Sequence, residues 1–309
     1  MKKNNEPSLI ITSDLHLRDD QPICRTDDFW ETQLQKILWL YQLQNKYRPI
    51  PIVCAGDIFH KAKPSPKLLA FAIEYLPYIY AIPGNHDLPN HTMNSFHECG
   101  LNVLITACKA SMVNSTIQNS ITLQNCCPTM TLDGLPYGVE NDSLKPKKTN
   151  GNTTSILLLH VYNYLEKPKW IDKGTSYNSI LKKYPNFGIV ITGDNHDSFY
   201  KKMGERWIIN PGCFTRQRLD EKEYEPSVYL YYAHNNTVER VNIPTEKNTF
   251  TDIHVSEYKD KNERIDLFVE SLKQTKDISL SFEDNLKKFI AKNKLNEKTI
   301  DKLWGIVHE

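Results

Sequence analysis

The sequence lacks paired cysteines. Its seven cysteines, at positions 24, 54, 99, 108, 126, 127 and 213, are odd in number and never spaced as Cys-x-x-Cys. A disulfide framework and a thiolate zinc knuckle are therefore not expected, and a reducing, cytoplasmic setting is. Long apolar runs are missing too. No stretch approaches the roughly 20 residues that a membrane span needs. The apolar run Leu9 to Ile11 is too short for a secretory signal, so no membrane association is expected. The Asn-x-Ser/Thr matches at Asn114, Asn152 and Asn235 then read as chance in an Asn-rich chain. Net charge is nearly absent, at a formal +1. Without a global field, attraction for a polyanion must come from a local patch or from bound metal. Internal repeats and extended low-complexity tracts are also missing.

What is present is an ordinary globular composition: 309 residues, 39% hydrophobic and 24% charged. A chain of this length can bury a substantial core without covalent staples. Five short apolar runs end directly in polar clusters. Ser8–Thr12 runs into Asp14-Leu15-His16, Ile50–Cys54 into Gly56-Asp57, and Tyr78–Ile82 into Gly84-Asn85-His86-Asp87. Ile156–Leu159 ends at His160, and Gly188–Thr192 at Gly193-Asp194-Asn195-His196. Such runs read as buried strands. Ligand groups in open α/β sheets gather beyond the carboxyl ends of strands.

Between the early strands, Trp30–Tyr47 has a helical period at Leu34, Ile37, Leu38 and Tyr41, and Pro66–Tyr75 begins with a proline suited to a first helical turn. This strand–helix alternation predicts an α/β fold with parallel pairing. Residues 103–135 read as strands and turns, and 140–154 as a polar loop. Strands are expected at 207–210, 228–233 and 238–243. A boundary near 246 separates a catalytic domain, 1–245, from a small C-terminal region, 246–309. That region reads as one strand at 251–255 and helices at 262–273, 283–293 and 296–308.

A cluster of Asp, Asn and His without thiolates suits Mn, Fe, Zn or Mg. Two such ions held ~3.5–4 Å apart can clamp the attacking and leaving oxygens of a phosphoryl group. The segments, in their order, resemble the calcineurin-like metallophosphoesterase superfamily: Asp14-Leu15-His16, Gly56-Asp57-Ile58-Phe59-His60, Gly84 to Asp87, the lone His160, and Gly193 to His196. The resemblance covers roughly residues 8 to 232. It implies a four-layer αββα sandwich of two mixed sheets with a small α(+β) C-terminal extension. It also implies that Asp14, His16, Asp57 and His196 hold one metal and that Asp57, Asn85, His160 and Asp194 hold the other, with Asp57 bridging. His86 would stabilise the transition state or protonate the leaving oxygen. The family's last motif usually has histidine where this chain has Asp194. A hard oxygen ligand there favours Mn2+ or Mg2+ over Zn2+.

Within the superfamily, Ala55–Pro66, Ala81–Asp87 and Asn210-Pro211-Gly212 are most similar to the Mre11/SbcD-like DNA repair exonucleases. That likeness implies a Mn-dependent exo- or endonuclease working by in-line attack of a metal-bridging hydroxide. His60 would help to orient the scissile phosphate. DNA, a Rad50/SbcC-like ATPase subunit and a second copy of the chain are the implied partners. Candidate phosphate contacts are Lys61, Lys63, Lys67, Lys201, Lys202, Arg216 and Arg218, with Tyr162, Tyr164 and Trp170 among Lys167 and Lys169 for stacking on bases. Two other readings stay open: a phosphodiesterase or phosphatase acting on a small nucleotide or phosphoprotein, and a catalytically silent DNA-end-binding subunit.

Overall fold

A computed structural model describes residues 6–47, 49–118, 120–123, 129–146, 153–167, 174–251, 286–287, 290–291 and 300. It divides into two units, Met1–Asp252 and Ile253–Glu309. In the first, two six-stranded mixed sheets form the centre. One sheet runs β14 (Thr237–Asn242), β13 (Ser227–Tyr232), β1 (Leu9–Thr12), β2 (Ile52–Cys54), β3 (Ile79–Ala81), β4 (Ala110–Met112). Its β1 to β4 are parallel, while β13 is antiparallel to both β1 and β14. The other runs β11 (Phe199–Met203), β12 (Arg206–Asn210), β10 (Ile189–Gly193), β7 (Thr153–His160), β6 (Thr129–Leu135), β5 (Ile121–Leu123). There, β12, β10, β7 and β6 are parallel, and the edge strands β11 and β5 are antiparallel. A two-stranded ribbon joins β8 (Asn163–Tyr164) to β9 (Thr175–Ser176).

Successive side chains of a strand point to opposite faces, and that period of two sorts the core into layers. Leu9, Ile11 and Val53 of the first sheet meet Leu132, Ile156, Leu158, Ile189, Ile191 and Ile209 of the second. Their neighbours Ile10, Ile52 and Cys54 face outward against α1 (Phe29–Lys46), α2 (Pro66–Tyr75) and α3 (Gly100–Thr106). Leu157, Leu159, Val190 and Ile208 pack beneath α4 (Tyr177–Lys183). The expected α/β sandwich of two mixed sheets with flanking helices is therefore present.

Local chemistry sets the helix starts. Asp28 caps α1 by accepting from the Glu31 amide at 3.1 Å, and Ser65 caps α2 ahead of Pro66 by accepting from Leu68 at 3.1 Å. Four elements depart from the sequence expectations. Gly100–Thr106 is a helix rather than strand and turn; with two turns and only Leu101 and Leu104 buried beyond its first residue, it is too short to show a period. Thr153 and Thr154 open β7 instead of closing a loop. Helix α4 and strand β11 were not expected, and β11 is an edge strand exposed along most of its length, with no alternation to read.

In the C-terminal region, Leu286, Lys287, Ile290 and Ala291 are helical, within the helix expected at 283–293, and Ile300 is helical within 296–308. Thr251 is not in a strand. The rest of the strand and helices expected from 251 onward lie outside the described residues. Among the described residues, no helix is long and apolar enough to cross a membrane, and Cys24, Cys54, Cys99, Cys108 and Cys213 are free thiols.

Candidate metal centre

Five parallel strands, three from one sheet and two from the other, deliver polar groups from their carboxyl ends. Asp14 and His16 follow β1, Asp57 follows β2, Asn85 to Asp87 follow β3, His160 ends β7, and Asp194 and His196 follow β10. Asp14, His16, Asp57 and Asp194 have φ of 50°, 45°, 55° and 81°. Non-glycine residues rarely adopt that left-handed region, and where they do so together the cause is usually a site. Loop-to-loop bonds hold the turns: the Asp14 amide donates to the Gly56 carbonyl at 3.0 Å and the His16 amide to the Asp57 carbonyl at 2.9 Å. Gly84 is glycine because any side chain there would collide with the Asp57 carboxylate.

The structure brings all seven expected ligands together. Asp57 Oδ2 lies 3.4 Å from His16 Nε2 and 3.5 Å from His160 Nε2, so one carboxylate oxygen faces two imidazoles. On one side, His16 Nε2 and His196 Nε2 are 3.2 Å apart, with Asp14 Oδ1 3.8 Å from His16. On the other, Asn85 Oδ1 is 2.8 Å from His160 Nε2 and Asp194 Oδ1 is 3.9 Å from it. Asp14, His16 and His196 form one cluster of metal-capable atoms, and Asp14, Asp57 and His160 another. Two imidazole nitrogens this close among buried carboxylates share either a proton or a cation. The donor set thus fits divalent metal, of the borderline-hard kind.

Electrostatics say the same. Burial pushes Asp14 up to about 6, helped by Asp57, although His160 pulls the other way. Burial also raises Asp194. Asp57 is lowered despite its burial, because His160 and His16 sit beside it. Burial opposes charge on His160, yet Asp57, Asp14 and Asp194 push it up to about 10. His16 falls well below the usual range through burial. A pocket of four buried or half-buried carboxylates, with Asp87, is a place that needs positive charge.

His86 and His60 stack beside this centre, with ring centroids 5.5 Å apart, and His86 lies edge-on to His16 at 4.8 Å. His86 Nδ1 is 2.8 Å from the His60 carbonyl, so it carries the proton there and leaves Nε2 free. His60 is held at about 4 by burial, Arg18 and His86, which keeps it neutral at pH 7.

Two carboxylates that had no role among the sequence expectations are central in the structure. Buried Asp87 accepts from the amides of Ile58, Phe59 and Gly84 at 3.2, 3.1 and 3.0 Å, tying the β2 loop to the β3 loop. Glu221 accepts from His196 Nδ1 at 2.7 Å. Its distance along the chain hides it; only its place shortly after Asn210-Pro211-Gly212 hints at it.

The expected phosphate contacts divide. Lys61 and Lys201 are exposed. Lys63 pairs with Glu98, Lys67 lies over the Trp30 ring, Lys202 is bonded to the Asn236 carbonyl, and Arg218 pairs with Asp220. Arg216 is no surface contact: it is buried, donates to the Lys222 and Glu246 carbonyls, and stacks on Phe250. Trp170 and Lys169 lie outside the described residues.

Fold and site together define a metal-dependent phosphoesterase. The chain belongs to the calcineurin-like phosphoesterase family, whose model matches residues 7–198. No curated protein sequence matches it. Among solved structures it is similar to TT1561 of Thermus thermophilus, at 13% identity and a TM-score of 0.46 over 78% of this chain and 100% of that one. It is also similar to a novel archaeal phosphodiesterase, at 13% and 0.40 over 76% and 98%. A third is the phosphopantetheinyl hydrolase of Mycobacterium tuberculosis, at 12% and 0.42 over 77% and 96%.

Proposed function

We propose that this hydrolase is a two-metal phosphodiesterase that cuts the DNA backbone with Mn2+ as its working ion. The observation that carries the two-metal reading is the position of Asp57 Oδ2, 3.4 and 3.5 Å from the two imidazoles that would serve opposite ions. Asp14, His16 and His196 would hold one ion, and Asn85, His160 and Asp194 the other. Ions bound there supply Lewis acidity and bring the pKa of water towards neutrality. His86, its Nδ1 proton fixed on the His60 carbonyl, presents Nε2 to the substrate, and when Nε2 is also protonated the imidazolium would donate to a phosphoryl or leaving-group oxygen. His60, neutral and stacked on His86, can offer a hydrogen bond to the phosphate without adding charge.

What supports a polynucleotide is the rim. Lys61 is exposed next to His60, and the half-buried Tyr162 phenol is pushed up by burial first and then by Asp197 and Asp194. What favours a small nucleotide or phosphomonoester instead is the near-zero net charge, +1. The test is purified protein with Mn2+, offered linear duplex DNA, single-stranded DNA, bis(p-nitrophenyl) phosphate and p-nitrophenyl phosphate, beside Asp57→Asn and His86→Ala. DNA cleavage lost in both variants is the expected result. Cleavage of the small esters alone removes the nuclease reading. Equal inertness of all three proteins removes the enzyme reading and leaves a DNA-end-binding subunit. Full activity with Zn2+ and none with Mn2+ removes the metal assignment.

A further inference from the structure

One loop grips the Asp14, His16 and His196 side of the centre from behind. Gln217 Nε2 donates to the His16 carbonyl at 2.8 Å and to Thr215 Oγ1 at 2.7 Å. Gln217 Oε1 in turn accepts from Arg18 at 3.1 Å. Four residues on, a single 3-10 turn, Leu219–Glu221, brings back a carboxylate. Glu221 Oε2 accepts from the Gln217 and Arg218 amides at 2.6 and 3.1 Å, while Oε1 takes the proton of His196 Nδ1 at 2.7 Å. Glu221 is 7% exposed, so these bonds are shielded from water. One carboxylate thus closes its own loop and orients a strand-end imidazole.

We infer that Glu221 is the positioning residue of the His196 ligand: its carboxylate keeps the proton on Nδ1, which leaves Nε2 as a lone-pair donor facing His16 Nε2 at 3.2 Å. A ring whose other nitrogen is held by a carboxylate is fixed in tautomer and orientation and is a stronger base towards a cation. The rest of the molecule offers His196 Nδ1 no such partner among the described residues. This inference rests on the proposed role of His196 as a metal ligand.

The test is calorimetric titration of Mn2+ into metal-stripped full-length chain, as wild type, Glu221→Gln and His196→Ala, with melting temperatures in EDTA. In Glu221→Gln the carbonyl can still cap the Gln217 and Arg218 amides. The NH2 then faces Nδ1 and turns the imidazole to the wrong tautomer. The expected result is two ions in wild type, one in His196→Ala, and one of two ions weakened about tenfold to a hundredfold in Glu221→Gln, with its metal-free melting near wild type. Wild-type affinity at both sites in Glu221→Gln, with His196→Ala defective, overturns the role of Glu221 alone. Two undiminished ions in His196→Ala overturn the ligand reading beneath it. Imidazole 1H–15N correlation on the Zn2+-loaded wild type needs no variant. A proton on Nδ1 of His196 supports the inference, and a proton on Nε2 overturns it.

Discussion

His160 and His196 are both strand-end imidazoles whose Nδ1 is held at 2.7 Å, yet they hang on different supports. His160 is bound by the Ala55 carbonyl, backbone that immediately follows β2; His196 is bound by a side-chain carboxylate on a one-turn helix in a loop. The first support is backbone at the end of a parallel strand and cannot be removed by substitution. The second is a single side chain. A carbonyl fixes a tautomer, whereas a carboxylate also raises basicity. One half of the centre is therefore preorganised by the fold, and the other is tuned by a loop.

The largest expected effect comes from the group that both halves share. Asp57→Asn should abolish the advantage of either support, costing more than the roughly 10- to 100-fold typical of an outer partner. Rates on the best substrate with saturating Mn2+ check this. Retention of most of the rate would mean that the halves work separately. Next is Asp87→Asn, which attacks the sheet-built half through its backbone. An amide NH2 in place of one oxygen strands buried N–H donors of Ile58, Phe59 or Gly84, and each unsatisfied group costs about 1–3 kcal/mol. Denaturant unfolding in EDTA should register that loss with no metal present, unlike the Glu221→Gln change. A smaller effect is expected from Asp194→His, which exchanges the harder oxygen for nitrogen. The ratio of Mn2+-supported to Zn2+-supported activity should fall. An unchanged ratio would show that the carboxylate, 28% exposed and 3.9 Å from His160, is not a ligand.

The contrast between supports also marks what could be read in the chain. The sheet-built half was legible, because each candidate ligand follows an apolar run and stands within a few residues of a strand end. Pro66 likewise marked the start of α2 at the residue where it begins. The loop-built half was legible at Asp14, His16 and His196 but not in the loop that supports them. Glu221 reaches His196 across 25 residues, and no local pattern joins a capping carboxylate to a distant imidazole. Asp87 stood inside a motif, but two of its three amide partners come from another loop. Arg216 looked like a phosphate contact because sequence cannot show that Phe250 folds over it. Helices of two turns, α3 and α4, are too short for periodicity to declare them.

The loop half has one more peculiarity, and it yields the smallest expected effect on catalysis. Lys36 of α1 is 5% exposed, in the electrostatic neighbourhood of Arg216 and Cys213 from the same loop region, and its Nζ has a 3.3 Å bond to Thr245 Oγ1. Burial first, then Arg216 and Arg25, push it down to about 7. The folded state therefore sheds this proton near pH 7, while the unfolded chain keeps it until its ordinary value of 10.5. Between those limits the unfolded state binds more protons, so stability rises with pH. The cost of the buried charge is full below pH 7 and fades towards 10.5. Lys36→Met, which keeps the volume and discards the charge, should then stabilise the protein by about 1–4 kcal/mol at pH 6, since well-packed apolar replacements of buried charges are often stabilising. The gain should shrink steadily in unfolding curves taken up to pH 10. Activity with Mn2+ should stay near wild type, because Lys36 touches neither half of the centre. A gain that does not diminish with pH would show that packing rather than charge sets it; a variant less stable at pH 6 would show that the ammonium has a partner holding the loop half in place, and the contrast between the two supports would then extend down to α1.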